Sequence, residues 1–546
     1  MGFPVRLHFP ALSKPSAGNR ATAYDARFMQ SIHSRYPHAH WLLPTVLAAS
    51  LYLINLPGTW IYDDLYIAHD DQRLQHVNRW HEYLTTDYFA GAVDNLWRPL
   101  TSFSYAVEWW LHGERAWPFH LVNLLLHAAV TLLVAKLGRR LTGSRSVGLI
   151  AGLLFAAHPI HVEAVTGIVG RAEEMCTLGV LGGLLLFIGR TMTPRRAFAV
   201  TGCFLFAALS KEQGVFLPLM LLGWAFTRRA SFQTSPHFDT VDSATDDKPM
   251  PRAAQANANL LLTALLTGTL AIYISYRNSI APWYWEKAFL DWMMNPLVNS
   301  VGVDRWLIPL AILGRYAALL IAPWRLAPDY SAVVFTSVQR LNDPFLWLGA
   351  VTLILFFMAF ISAFRRRNTA ALFCLGAMAL TYFLASNLIM IGTIFGERLM
   401  YQPSVFVCVL TAMGMVKLPV KACGVSLTIL LIAFCIRTET YAWRWNDRVR
   451  LYSYTVQVQP KSSMGYLLLG DELQTRHGDM EGAERAYAEG RAAAPDAWRL
   501  WQSSAELALL RGNLTDAEAW ANRAFKLHPS LQTSTLIAKV AERRRS

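Results

Sequence analysis

The sequence predicts an all-α, multi-pass helical membrane protein of about eleven transmembrane helices, closed at its C-terminus by a short helical-repeat solenoid. Three observations carry that prediction. The 546 residues are 54% hydrophobic and 16% charged, a balance that excludes an ordinary soluble domain. Uncharged apolar stretches recur between residues 41 and 437, the first of them long enough to span a bilayer. Beyond residue 438 the chain turns polar and repeats residue types at a spacing of 34.

The first stretch, 41–60 (WLLPTVLAASLYLINLPGTW), carries no charge and follows Arg6, Lys14, Arg20, Arg27 and Arg35. Basic residues mark the cytoplasmic side, so residues 1–40 read as a cytoplasmic tail and the chain emerges outside just before Asp63-Asp64. No leader with a cleavage site precedes Trp41, so this helix is expected to remain as an anchor. Further apolar segments follow at about 118–137, 146–165, 173–189, 197–210, 214–227, 259–276, 344–363, 370–391, 399–416 and 422–437. Arg139, Arg140 and Arg145, then Arg190, Arg195 and Arg196, then Arg228 and Arg229 punctuate them. Arg365 to Arg367 and the pair Lys417 and Lys421 complete the series. With each cluster cytoplasmic, alternate loops face out and residue 438 onward lies outside. The pair 197–210 and 214–227 is short for spanning, but two crossings or none leave that parity unchanged.

The transmembrane part is thus expected over 41–437, with outer loops at 59–117 and 277–343 and a cytoplasmic loop at 228–258. Within that loop, 230–256 is polar and lacks helical periodicity, which reads as flexible. Segments 99–111, with Glu108, and 306–322, with Arg315 and flanking prolines, read as interfacial helices on the outer face. Trp97, Trp109, Trp110, Trp117, Trp283, Tyr284 and Trp285 read as an interfacial aromatic belt. The formal net charge of +13 resides largely in the short loops, where it sets orientation; it does not point to nucleic acid. Six scattered cysteines form neither a CxxC nor a zinc spacing, so no disulfide framework or metal site follows.

In the tail, Gly478 and Gly512, Ala483 and Ala517, and Pro495 and Pro529 are each 34 residues apart, the period of a tetratricopeptide helix–turn–helix unit. Two units over about 463–530 and a capping helix, 530–545, make a short solenoid on the outer side. Such arrays bind peptides or partner proteins, although an oligomerisation or stability module is the plainer alternative.

The outer loops hold the polar chemistry. Adjacent carboxylates Asp63 and Asp64 stand at the membrane surface, where one can take a proton from an acceptor hydroxyl. Arg98, Arg171, Lys211 and Arg398 supply positive charge for a departing phosphate, and Glu163, Glu212 and Glu397 supply polar partners. His158 and His161, with Glu163, have a spacing that admits metal ligation, but no further ligand set accompanies them; hydrogen-bonded structure or substrate contact is the expected role. Lys211-Glu212 and Glu397-Arg398 also fit ion pairs at helix turns, yet charges at membrane depth point to function more often than charges in soluble loops.

The stretches YDDLYIAHDD (62–71), RPLTSFSYAVEWWLHG (98–113), FHLVNLLLHAAVTLLVAKLGRRL (119–141), AAHPIHVEAVTGIVGRAEEM (156–175) and LSKEQGV (209–215) form an ordered set. APWRLAPDYS (322–331), ASNLIMIGTIFGERLMYQPS (385–404) and RTETYAWRWNDRVRLY (437–452) continue it. Together they resemble the transmembrane and tetratricopeptide-repeat family of O-mannosyltransferases, multi-pass enzymes of the GT-C glycosyltransferase class. The resemblance implies a polyprenyl- or dolichyl-phosphate mannose as co-substrate and no cofactor. It implies metal-independent, inverting transfer to a Ser or Thr hydroxyl of an exported protein or peptide, offered to the repeats. It also implies that Asp63 or Asp64 is the base and that Arg98 lies near the donor phosphate. Only two repeats are evident, fewer than many family members carry. The short loops and compact tail suggest a bacterial inner membrane with site and repeats periplasmic; in a eukaryote the same face would be the endoplasmic reticulum lumen. Two other readings compete: a GT-C transferase acting on lipid or polysaccharide, and a non-catalytic membrane scaffold.

Overall fold

Polar breaks between apolar helices fix this architecture, because each break must satisfy its own backbone groups where the helix ladder stops. The computed structural model describes residues 38–89, 96–230, 251–281, 292–330, 335 and 341–545. Residues 1–37 of the predicted tail, 231–250 of the cytoplasmic loop, and Trp283, Tyr284 and Trp285 lie outside the described residues. The described residues are helical and contain no strand.

The membrane part is built from α1 (Ala39–Leu51), α2 (Pro99–His112), α3 (Ala116–Thr142), α4 (Arg145–Ala157), α5 (Arg171–Phe187), α6 (Pro194–Ser210) and α7 (Leu217–Ala230). It continues through α8 (Arg252–Ile280), α9 (Asp304–Ile321), α10 (Pro344–Arg365), α11 (Thr369–Ala385), α12 (Tyr401–Met415) and α13 (Val420–Arg444). Helices α1, α3 and α4 pack on one another, α5 packs on α3 and α6, and α12 closes against α4. A single apolar core runs through these helices, from Leu51 and Val130 to Phe204, Phe406 and Tyr441.

Among the described residues, four helices are long and apolar enough to cross a membrane: α3, α8, α10 and α13. The α4 segment with Pro159–Thr166 makes a fifth if the pair is one span. This is an integral membrane protein, but the expected count of about eleven crossings is not reached by helix length. The physical reason is visible at the breaks. The segment predicted at 146–165 bends by 53° at His158-Pro159; proline removes a ladder donor and crowds the preceding turn. Helix α6 stops at Ser210, before the polar run Lys211 to Gln213, and α11 stops at Ala385, before Ser386-Asn387. Helices α10 and α13 leave most of their apolar stretch uncovered, with 11% buried in each, as lipid-facing helices should.

The segment read as an interfacial helix at 306–322 is α9, and it packs directly on α10. A Cβ at Gly314 would lie 1.9 Å from the Phe345 carbonyl oxygen, and one at Gly349 equally close to that of Leu310. Small residues let the two backbones meet, as in membrane helix pairs generally. Gly349→Val should therefore force α10 off α9 and destabilise the fold by roughly 1–3 kcal/mol, the range for overpacking, measured by unfolding in detergent.

The C-terminal part begins with α14 (Arg448–Val458) and continues as α15 (Ser463–Thr475), α16 (Met480–Ala493), α17 (Trp498–Leu510), α18 (Leu514–Leu527) and α19 (Leu531–Arg545). The 34-residue spacing has a direct physical basis here. Gly478 and Gly512 both take positive φ, 65° and 76°, at the turn inside each helix pair, where side chains are disfavoured. Asp479 and Asn513 then cap α16 and α18 by accepting the Gly482 and Asp516 backbone N–H groups. Tyr487 packs over Gly470, joining α15 to α16. These helices are tied to the first outer loop. Arg448 Nε donates to the Trp60 carbonyl (2.7 Å), and the Tyr62 N–H donates to the Tyr452 hydroxyl (3.3 Å). Ser462 Oγ donates to Asp329 (2.5 Å), in the segment after α9.

Candidate active site

The turn after α1 separates the two aspartates. Tyr62 adopts a left-handed backbone (φ 59°), uncommon for a bulky residue and a mark of a constrained segment. Asp64 is buried, and its carboxylate accepts the Val169 N–H (2.9 Å) and the Ile61 N–H (3.3 Å), pinning the outer loop to the turn before α5. The Asp63 side chain is 28% exposed and accepts a hydrogen bond from Arg398 Nη2 at 2.8 Å.

Burial pushes the Asp64 carboxyl up from 3.8 to about 7; the bonds from Val169, Ile168 and Ile61 pull the other way, and the Asp63 charge adds to the rise. The folded protein thus binds the Asp64 proton more tightly than the unfolded chain. Its contribution to stability is full below about pH 4 and is lost as pH rises toward 7. Asp64→Asn mimics the protonated acid. Its melting temperature relative to the parent should be near parity at pH 4 and higher by pH 8; a constant difference across that range would remove Asp64 as the titrating group.

Arg398 organises the cleft. Its Nε lies 3.4 Å from Glu163 Oε1, and its backbone N–H donates to Glu163 Oε2 (2.9 Å). Burial alone would pull the guanidinium down, but Asp63 and Glu163 beside it hold it above its usual range. Glu397, next in sequence and fully buried, accepts the Tyr330 hydroxyl (2.6 Å) and the Ala327 N–H (2.7 Å). Asp63, Glu163 and the adjacent pair Glu397-Arg398 thus come together from three separate parts of the chain.

A second charged group adjoins the first. Arg98 makes a two-pronged pair with Glu212, at 3.0–3.3 Å, and lies over the Tyr88 ring, 5.0 Å from its centroid. Lys211 pairs with Glu173. Burial would raise Glu212, yet Arg98 and Lys211 hold it below the usual carboxylate range. Tyr88 feels the charges of Arg98, Arg398 and Asp63, and Glu163 feels that of Glu173, so the two groups share one electrostatic neighbourhood.

Three expectations need correction. Arg171, expected to help bind phosphate, is fully buried: its guanidinium meets Glu108 (2.7 Å), Asn123 (2.9 Å), Ser104 (3.3 Å) and the Phe119 carbonyl (3.0 Å). That is a structural tie of α5 to α2 and α3. His158 and His161 are buried in helix packing, not displayed to a cleft. His158 Nε2 meets the Leu320 carbonyl (3.0 Å), and His161 lies between the Phe155 carbonyl (2.8 Å) and the Ser404 hydroxyl (2.7 Å). Among the described residues no three His, Cys, Asp or Glu side chains are placed to hold a metal ion. Trp97 and Trp109, assigned to the aromatic belt, are buried and donate to the carbonyls of Leu84 and Ala68; Trp110 and Trp117 are exposed as a belt requires.

An apolar cavity of about 470 Å³ lies between α9, α10, α11 and α12, lined by Trp306, Leu313, Phe356 and Tyr382 among others. Two of its lining residues, Tyr316 and Met400, reach the charged cleft. The Tyr316 hydroxyl donates to the Gly396 carbonyl (3.0 Å), and Met400 closes the same short turn, Glu397–Met400, that carries Arg398. The groove therefore reaches, at Met400, the turn that carries Arg398.

A profile of the dolichyl-phosphate-mannose-protein mannosyltransferases matches residues 99–240. A protein O-mannosyl-transferase of Caenorhabditis elegans is 26% identical over 457 residues, 80% of this chain and 60% of its own. The human protein O-mannosyl-transferase TMTC4 is 26% identical over 79% of this chain and 63% of its own. Over most of its length the chain is thus similar to protein O-mannosyl-transferases. A shorter stretch of 186 residues is 36% identical to human TMTC2, covering 32% of this chain and 22% of that one. The chain spans about half the length of the curated relatives it matches along most of its own.

The site is larger than sequence reasoning made it. Tyr88, Glu173, Tyr316 and Tyr330 also belong to the cleft; Glu173 and Tyr330 lie in the stretches 156–175 and 322–331 but were not singled out there, and Tyr88 and Tyr316 had no sequence signal. Arg437 donates to the Pro323 carbonyl (3.1 Å) and the Tyr454 hydroxyl (2.7 Å), bracing the segment that carries Tyr330. Its signal was the stretch 437–452, where a basic residue ends an apolar helix.

Proposed function

We propose that the protein transfers a sugar, mannose by analogy with its relatives, from a polyprenyl- or dolichyl-phosphate donor to a Ser or Thr hydroxyl of an exported protein. The observation that carries this reading is the apolar groove lined at one side by Tyr316 and by Met400, in the short turn that also carries Arg398, the partner of Asp63. A lipid-borne donor needs an apolar channel for its chain and a cation for its phosphate, both next to a base. Asp63 is the base: it is the accessible member of the pair, and Asp64 holds the loop. The acceptor hydroxyl gives its proton to Asp63 while its oxygen bonds to C1 of the sugar from the face opposite the phosphate, inverting that centre. The C1–oxygen bond electrons leave with the lipid phosphate, whose growing charge Arg398 meets. Arg98 and Lys211, each already paired with a carboxylate, set the field of the cleft. This chemistry uses no metal and no cofactor.

The GT-C-like membrane part, 41–437, would hold the site, and a tetratricopeptide solenoid within 438–546 would present the acceptor. Fixing of α14 to Trp60 and Tyr62 supports this placement. Charge parity puts site and repeats outside, so a reporter active only in the cytoplasm should stay silent when fused after Ser546. Activity there would overturn the topology. The function itself is tested on membranes with and without the protein, given labelled polyprenyl-phosphate mannose. Label should enter protein only when the chain is present; label entering lipid or polysaccharide, or nothing, would overturn the acceptor or the activity.

A further inference from the structure

We infer that Arg398 is a latch: it holds Asp63 in the donor-free protein and releases it to act as base when a lipid-linked phosphate draws the guanidinium away. The inference rests on the proposed transferase reading and concerns the order of its steps. The structure shows one guanidinium serving two carboxylates, with Nη2 on Asp63 at 2.8 Å and Nε near Glu163 at 3.4 Å. The two contacts differ in permanence. Glu163 is buried and also accepts the Arg398 backbone N–H, so that partnership is built into the turn. Asp63 is joined only through the tip of the guanidinium, and both side chains are about a quarter exposed, 24% for Arg398 and 28% for Asp63. The tip can therefore leave Asp63 while the residue stays anchored on Glu163.

In this state the Asp63 carboxylate oxygen is occupied by the guanidinium Nη2, and a bound acceptor hydroxyl must displace that contact to reach it. The donor phosphate arrives through the groove lined by Tyr316 and Met400, which lies in the same short turn as Arg398. Phosphate oxygens match the planar guanidinium as well as a carboxylate does, and they take its Nη2. Asp63 is then free to accept the acceptor proton, as the new bond to C1 forms and the phosphate departs with the old bond's electrons. The charged groups near Asp63 are Arg398, Glu163 and the neighbouring Asp64, with Tyr62, Tyr66 and Tyr88 also within reach of its charge. The device makes donor binding precede activation.

Because Asp63 and the donor compete for one guanidinium, removing the Asp63 charge must strengthen donor binding through Arg398. The test is equilibrium binding of polyprenyl-phosphate mannose, and of sugar-free polyprenyl phosphate, to the full chain in detergent. Asp63→Asn should bind both probes about tenfold more tightly than the parent, the equivalent of about 1.4 kcal/mol. Simple relief of charge repulsion would also tighten binding, so the same change is repeated in Arg398→Gln. There the latch predicts little or no tightening, whereas repulsion predicts it undiminished. Arg398→Lys keeps one charge without the two-nitrogen fork, and serves if Arg398→Gln does not fold; the gain should shrink in it. Unchanged or weaker binding by Asp63→Asn, or a gain that persists in the Arg398 variants, overturns the latch. Failure of the parent to bind either probe overturns the transferase reading beneath it.

Discussion

Asp63→Asn is expected to reduce sugar transfer by about 100- to 10,000-fold, the range a positioned general base contributes, while the protein still inserts and folds. Asparagine keeps the shape and an oxygen acceptor for Arg398 but cannot take a proton from a hydroxyl. The side chain is partly exposed and makes one ion-pair contact, so its replacement leaves no buried charge alone. Transfer rate at saturating donor and acceptor measures the loss, and a melting curve checks the fold. Asp64→Asn should behave differently. It preserves an acceptor for Val169 and Ile61, and its effect on rate should be the smaller of the two. The reverse ranking would exchange the roles of the two aspartates.

Arg171→Met is expected to give the largest loss of stability, on the order of 3–5 kcal/mol, as found when one partner of a buried ion pair is removed. The methionine fills part of the space but leaves Glu108 without its cation, in a site that is 8% exposed. Asn123, Ser104 and the Phe119 carbonyl lose a donor at the same time. Adding Glu108→Gln to Arg171→Met should recover a large part of the loss, because it removes the stranded charge. Unfolding in detergent measures both variants. A normal melting temperature with lost donor binding would instead return Arg171 to the phosphate-contacting role that its sequence position suggested.

The same two residues show what the sequence makes legible and what it hides. Asp63-Asp64 stood out because they follow an uncharged helix preceded by basic residues, a local pattern that sets side and depth together. Which aspartate is accessible depends on the left-handed turn at Tyr62 and on Val169, over a hundred residues away, and neither has a local signature. Arg171 and Arg398 look alike in sequence, each beside acidic residues in an outer loop. One folds against Glu108 and disappears from solvent; the other ends beside Asp63, in the turn that the groove reaches at Met400. Apolar segments located the helices, but the expected count of about eleven crossings did not follow: among the described residues four helices are long and apolar enough to span, or five with the bent pair. Breaks such as His158-Pro159 and Ser210-Lys211 sit inside or at the edge of apolar runs, and hydropathy smooths over them. In the tail, by contrast, the repeat spacing marked Gly478 and Gly512, which stand at equivalent turns in the folded chain, though not the capping Asp479 and Asn513 that follow them.

The central claim is that a lipid-borne sugar is transferred at Asp63, beside Arg398 in the turn that the apolar groove reaches. Its most direct measurement is a single-turnover experiment with purified full-length protein, polyprenyl-phosphate mannose labelled in the sugar, and a Ser/Thr-containing acceptor peptide. The parent should move label to the peptide with inverted configuration at C1, and Asp63→Asn/Asp64→Asn should bind the donor yet transfer nothing above background. Transfer by that double variant at the parent's rate would contradict the account.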